Sequence, residues 1–286
     1  MADLEQKTYP NIAQSIGITG IVILAMLVFS PLMLLENFIG KSASFFIYYL
    51  FALGVSLGIA YTIRERKTGE TNFNFRIENK RIIPIVVVAT LAFIAGISIP
   101  MAGLTTTLIP IPDFLADTFR MDVNIFSFLF IAVSAPILEE LIFTGIILCG
   151  LLKRYSPVKA ILTYSLLFGI VHLNPWQFFT AFFIGFFIGW VYYKTRSLSL
   201  TIIIHFVNNF AVFFVVFIYD KVLGIDQSTI QEMTFMESYG GVANFALITV
   251  GGIAIFMLCI WLLRKEFESV CSKGDPMCAS KLHTPS

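Results

Sequence analysis

Ser134-Ala135-Pro136-Ile137-Leu138-Glu139-Glu140-Leu141-Ile142-Phe143-Thr144-Gly145 places two adjacent glutamates inside an otherwise apolar stretch. That stretch lies within a continuous apolar run, which the residue pattern makes a long helix over 122–152. Two readings are open: a core helix of a soluble domain, or a membrane span. Composition decides between them. Hydrophobic residues form 57% of the 286 positions, charged residues only 13%, and the mean hydropathy is +0.85. A soluble domain carries about a quarter charged residues, so this chain lacks the polar surface to face water. The fold class read from the sequence is therefore all-α, a polytopic transmembrane bundle of about eight helices.

Working outward, helices fall at roughly 12–35, 45–63, 82–103, 122–152, 158–172, 176–194, 198–219 and 241–263. Each is of order 20 residues, the length a bilayer requires, except the fifth. Asn174-Pro175 ends that one, since proline cannot continue a helix. An interfacial stretch from Pro112 to Arg120 precedes the fourth. The run from Ile12 is too long for the apolar part of a signal peptide and reads as the first span. The expectation is one integral-membrane domain over 1–286, with its motif core at 130–210. Eight spans put sixteen of the 19 basic residues on one side: Lys7, Arg64 to Arg81, Lys153 to Lys159, Lys194, Arg196 and the tail. Only Lys41, Arg120 and Lys221 are left on the other, so both termini are expected on the cytoplasmic side of a cell membrane. Cys149 and Cys259 lie in apolar segments, Cys271 and Cys278 in the tail, and no spacing among the four suits a redox or zinc motif. Gly185 and Gly189 suit close helix packing.

A charge at mid-bilayer costs about 2.5 kcal/mol or more, so intramembrane polar groups need a reason. Neighbouring helical residues point about 100° apart, so Glu139 and Glu140 cannot serve one small site equally. His172 closes the fifth helix in Phe168-Gly169-Ile170-Val171-His172. His205 and Asn209, four apart, share one face of the seventh. The third histidine, His283, lies in the tail. At ~1.5 Å per residue from the nearest cytoplasmic basic residue, Glu139, His172 and Asn209 all lie on the order of 20 Å deep, and His205 roughly 14 Å. These groups can therefore meet at one level.

A carboxylate, two imidazoles and an amide at one depth suit hydrolysis. The glutamate can act as general base toward a water held by the histidines, directly or through a metal. Asn or His can donate to a developing oxyanion. Glu139, His172 and His205 are also a zinc ligand set, and the residues leave both ways of holding the water open. The HExxH signature of soluble zinc proteases is absent.

At these residues the chain resembles the CPBP family of intramembrane proteases, also called the ABI or CAAX-protease family. Its three motifs correspond here to Glu139-Glu140, Phe168…His172 and His205…Asn209, and the Gly185…Gly189-Trp190 approach to His205 matches as well. The resemblance implies that Glu139 activates the water and that His172 and His205 position it or bind a metal. Asn209 then stabilises the oxyanion, with Asn208 the competing assignment, and Glu140 is the structural neighbour. It also implies a peptide or protein substrate at the bilayer, such as a prenylated C-a-a-X protein, and no nucleic acid. The chain departs from the family at Thr144, where the motif has an arginine. Glu140 must then be protonated, bonded to Thr144 or paired with a base from another helix. Two rival readings are a non-catalytic scaffold or immunity protein that keeps the pocket, and a proton-coupled transporter.

Overall fold

A computed structural model describes residues 8–112, 122–225 and 239–271, with side chains to 268. The stretch from Asp113 to Arg120, the tail thiols and His283 lie outside the described residues. All regular structure among the described residues is helical. Seven helices are long and apolar enough to cross a membrane: α1 (Ile12–Ile39), α2 (Lys41–Thr68), α3 (Ile82–Leu108), α4 (Ile125–Leu151), α6 (Pro175–Thr195), α7 (Leu198–Val222) and α8 (Val242–Glu268). The eighth, α5 (Pro157–Ile170), has 14 residues. At 1.5 Å per residue it reaches about 21 Å, short of a ~30 Å hydrocarbon core. The chain is a multi-pass membrane protein.

Local chemistry sets the helix ends. Asn11 and Gln14 form a reciprocal capping box at the start of α1, and Asn124 caps α4 by accepting from the Phe126 and Ser127 amides. Asn174 caps α6, where Pro175 occupies the first helical position. Inside the spans, Thr19, Ser56, Thr90 and Ser165 each donate to a carbonyl one turn earlier, which keeps their hydroxyls satisfied away from water.

α4 is the central helix. Ile142, Phe143, Ile147, Leu148 and Leu151 are all fully buried, while α7 and α8 present long apolar faces outward. Pro136 interrupts α4, and the helix widens to π geometry at Leu129–Ser134 and again at Glu140–Leu148. Such widened turns re-aim side chains, and here the second begins at the glutamate pair. α5 and α6 pack tightly. A Cβ on Gly185 would lie 3.3 Å from Phe168 and one on Gly189 3.0 Å from Ile161, as the small-residue spacing implies.

At one end of the bundle the segment 69–81 crosses beneath the helices. Arg64 and Lys153 both pair with Glu70, and Arg64 also donates to the Asn72 carbonyl at 2.9 Å. Asn74 bonds the Arg196 carbonyl, Asn79 bonds Glu266, and Arg154 bonds Thr8. The basic segments that the sequence assigns to one side are thus tied together at one end.

Candidate active site

The glutamate pair sits where α4 turns from α to π geometry, with Glu139 7% exposed and Glu140 fully buried. His205, on the first half of α7, lies between them. Its Nδ1 is 2.9 Å from Glu140 Oε1, and its Nε2 is 3.9 Å from Glu139 Oε2. The two carboxylates therefore address opposite nitrogens of one imidazole, so the centre is shared but unequally.

Thr144 donates to Glu140 Oε2 at 2.6 Å, and Tyr164 of α5 lies 3.1 Å behind the threonine hydroxyl. Of the three outcomes open to Glu140, the structure supplies both that involve a partner: Thr144, and a base from another helix, His205. Glu139 is partnered differently. Its Oε1 accepts a hydrogen bond from the Tyr49 hydroxyl of α2, while its Oε2 is buried and has no hydrogen-bond partner among the described residues. Phe130 packs edge-on against Tyr49 at 4.8 Å.

Phe168 joins the two histidines. Its ring meets His172 at 5.4 Å and His205 at 5.6 Å, edge-on to both, and stacks on Tyr164 at 5.9 Å. His172 follows the end of α5, and its Nδ1 lies 2.8 Å from the Phe168 carbonyl. A carbonyl only accepts, so Nδ1 carries a proton, and in the neutral ring Nε2 presents its lone pair. Among the described residues His172 bonds neither glutamate; it borders the centre. Asn209 does too. One turn beyond His205 on the same face, it donates to the Ile131 carbonyl at 2.9 Å and accepts from Asn208 at 3.1 Å. One Asn209 N–H has no partner among the described residues.

His172 keeps Nε2 available, as metal-bound histidines do. Yet among the described residues no three His, Cys, Asp or Glu side chains group closely enough to hold a metal ion. His172, His205 and Glu139 thus do not form a three-ligand zinc site in this geometry.

A family model described as type II CAAX prenyl endopeptidase Rce1-like matches residues 122–211. This segment is similar to the CAAX-protease family. The match covers about a third of the chain, from the start of α4 to the middle of α7, and includes Glu139, Glu140, Thr144, His172, His205, Asn208 and Asn209. No curated protein and no solved structure gave a match. Two residues of this centre escaped the sequence reading. Tyr164 precedes Phe168 of the second motif by four positions on α5, a spacing that puts it on the same helix face and could have marked it. Tyr49 lies outside the family segment, and nothing in the order of residues on α2 ties it to Glu139.

Proposed function

We propose that the chain is an intramembrane endopeptidase that cleaves near the C-terminus of a membrane-associated peptide or protein, prenylated C-a-a-X substrates being the class to try first. The observation that carries this is Glu139 Oε2, a buried acceptor that has no hydrogen-bond partner among the described residues and faces His205 Nε2 at 3.9 Å. One water about 2.8 Å from each atom fits that separation. Such a water gives one hydrogen to the carboxylate and the other to the imidazole, which turns its lone pairs toward a substrate carbonyl.

In the hydrolytic step Glu139 takes a proton from the water as its oxygen bonds the carbonyl carbon, and the C=O electron pair moves onto the carbonyl oxygen. The free N–H of Asn209 donates to that oxyanion. His172, with Nε2 as an acceptor, orients the water or the substrate N–H. Collapse of the intermediate breaks the C–N bond, and the leaving nitrogen takes the proton back from Glu139, so the base is regenerated. The substitution at Thr144 leaves this sequence intact, because Glu140 has two partners without an arginine. The segregation of basic residues supports termini on the cytoplasmic side of a cell membrane, with the substrate entering from the bilayer.

The test uses the full chain in lipid vesicles with a farnesylated C-a-a-X reporter peptide. Glu139→Gln should lower kcat by about 10²–10⁴-fold. Unchanged turnover in a folded Glu139→Gln protein would overturn the assignment. A wild-type protein that cleaves no C-terminal reporter, prenylated or not, would favour the non-catalytic reading instead.

A further inference from the structure

Thr144 has one hydroxyl hydrogen, and two oxygens lie within its reach: Glu140 Oε2 at 2.6 Å and Tyr164 Oη at 3.1 Å. The shorter contact has the length of a hydroxyl bonded to an ionised carboxylate. Thr144 therefore donates to Glu140, and Tyr164 must donate its own hydrogen to Thr144. The chain of donation runs from Tyr164 to Thr144 to Glu140 Oε2. On the far side of the same carboxylate, Oε1 lies 2.9 Å from His205 Nδ1. Tyr164, Thr144 and Glu140 are all fully buried, and His205 is 4% exposed. Phe168, stacked on Tyr164 and edge-on to His205, fixes both ends of this chain.

We propose that Tyr164 and Thr144 are positioning residues that act through Glu140 to hold His205 as its Nδ1–H tautomer, so that Nε2 offers a lone pair beside Glu139. Merely satisfying buried polar groups would not require this. A protonated Glu140 could donate to Nδ1 instead, and the network would be equally complete, but Nε2 would then carry the hydrogen. Nε2–H would point at the water oxygen and tie up the lone pair that must attack. The Thr144 hydroxyl opposes that arrangement, since it supplies a donor to a carboxylate that would otherwise take a proton. Neutral hydroxyls here take the place of a cation. The catalytic consequence rests on the endopeptidase reading; the tautomer does not.

The chain has three histidines, which makes ¹⁵N-histidine labelling of the full protein in lipid nanodiscs readable. His205→Asn identifies the His205 signals. In the wild type, His205 should show a protonated Nδ1 and a bare Nε2. Thr144→Val should move most of the population to Nε2–H, and Thr144→Ser should restore the wild-type pattern. With the farnesylated reporter, Thr144→Val should lose about ten- to a hundredfold in kcat with KM within about twofold, in line with the cost of a wrong tautomer in a hydrolytic centre. Tyr164→Phe, which removes one oxygen and leaves Thr144 its bond to Glu140, should lose about threefold. It also carries the test should Thr144→Val fail to fold. Nε2–H in the wild type overturns the proposal, as does a folded Thr144→Val protein with an unshifted tautomer. A tautomer that shifts as described in a protein that cleaves nothing upholds the proposal and removes the endopeptidase reading. Cleavage by a protein whose His205 holds Nε2–H does the reverse.

Discussion

Two glutamates in this molecule are held in opposite ways. Glu70, at the end of the bundle, is about a third exposed and is gripped by two cations, Arg64 and Lys153. Glu140, in the middle of α4, is fully buried and is held by a threonine hydroxyl and an imidazole, with a tyrosine behind. The difference follows solvent access. At the water boundary a basic side chain loses little hydration when it pairs. Inside the bundle a second full charge must be stripped of water, and the attraction regained often fails to cover that cost. Hydroxyl donors satisfy the carboxylate without bringing another ion into the core.

The sharpest way to break this contrast is to place a cation in the inner centre. Thr144→Arg adds both charge and volume at a fully buried position against Tyr164. It should cost about 3 kcal/mol or more of stability, read as a large drop in the melting temperature of the purified protein. Thr144→Arg combined with Tyr164→Ala makes room for the guanidinium beside Glu140 and should recover much of that loss. A stable Thr144→Arg single variant would show that the core tolerates a cation as it stands, and the contrast would lose its physical basis.

Glu139 supplies a middle case, with one oxygen on Tyr49 and the other without a hydrogen bond among the described residues. The phenol decides which carboxylate oxygen is left for chemistry. Tyr49→Phe keeps the ring packed on Phe130 but lets the carboxylate turn, so kcat should fall about tenfold with KM little changed. A Tyr49→Phe enzyme with wild-type kcat would mean that packing alone orients Glu139.

How much of this could be read from residue order depends on range. Span lengths, the break at Asn174-Pro175 and the segregation of basic residues are local properties, and the helices follow them closely. The fourth helix begins at Ile125 rather than near Asp122 because Asn124 caps it. Glu139, Glu140 and His205 stood out because charged and ionisable groups are costly in an apolar run, and they do meet. Counting residues from the boundary placed Asn209 level with Glu139, whereas its amide bonds Ile131, eight positions earlier on α4. Counting assumes uniform α-helices, and α4 is widened twice to π geometry. Tyr49 was illegible for a different reason: a tyrosine in an apolar helix carries no cost that marks it, and only the packing of α2 on α4 gives it its partner.

The smallest expected effect lies at the outer glutamate, and its sign follows from its partners. Partial burial pushes the Glu70 carboxyl up, but the hydrogen bond and charge of Lys153, joined by Arg64, outweigh this and leave it below the ordinary carboxylate range. A carboxyl with a depressed pKa adds stability at pH values above its unfolded pKa, and that increment disappears as the pH falls through the folded value. The wild-type melting temperature should therefore decline as the pH drops from about 5 to about 3. Lys153→Met removes the strongest of the lowering influences, so the Glu70 pKa moves back toward its unfolded value and its share of the decline shrinks. Because this ion pair is partly open to water, the difference between the two proteins should be only about 1–2 °C, and salt should reduce it further. If the two proteins keep the same pH profile at low salt, Glu70 contributes nothing measurable through its cations, and the pairing at the bundle's end serves only to place the 69–81 segment. An equal salt sensitivity in the Thr144 variants would carry the screening argument into the core, where the burial of Glu140 says it should not reach.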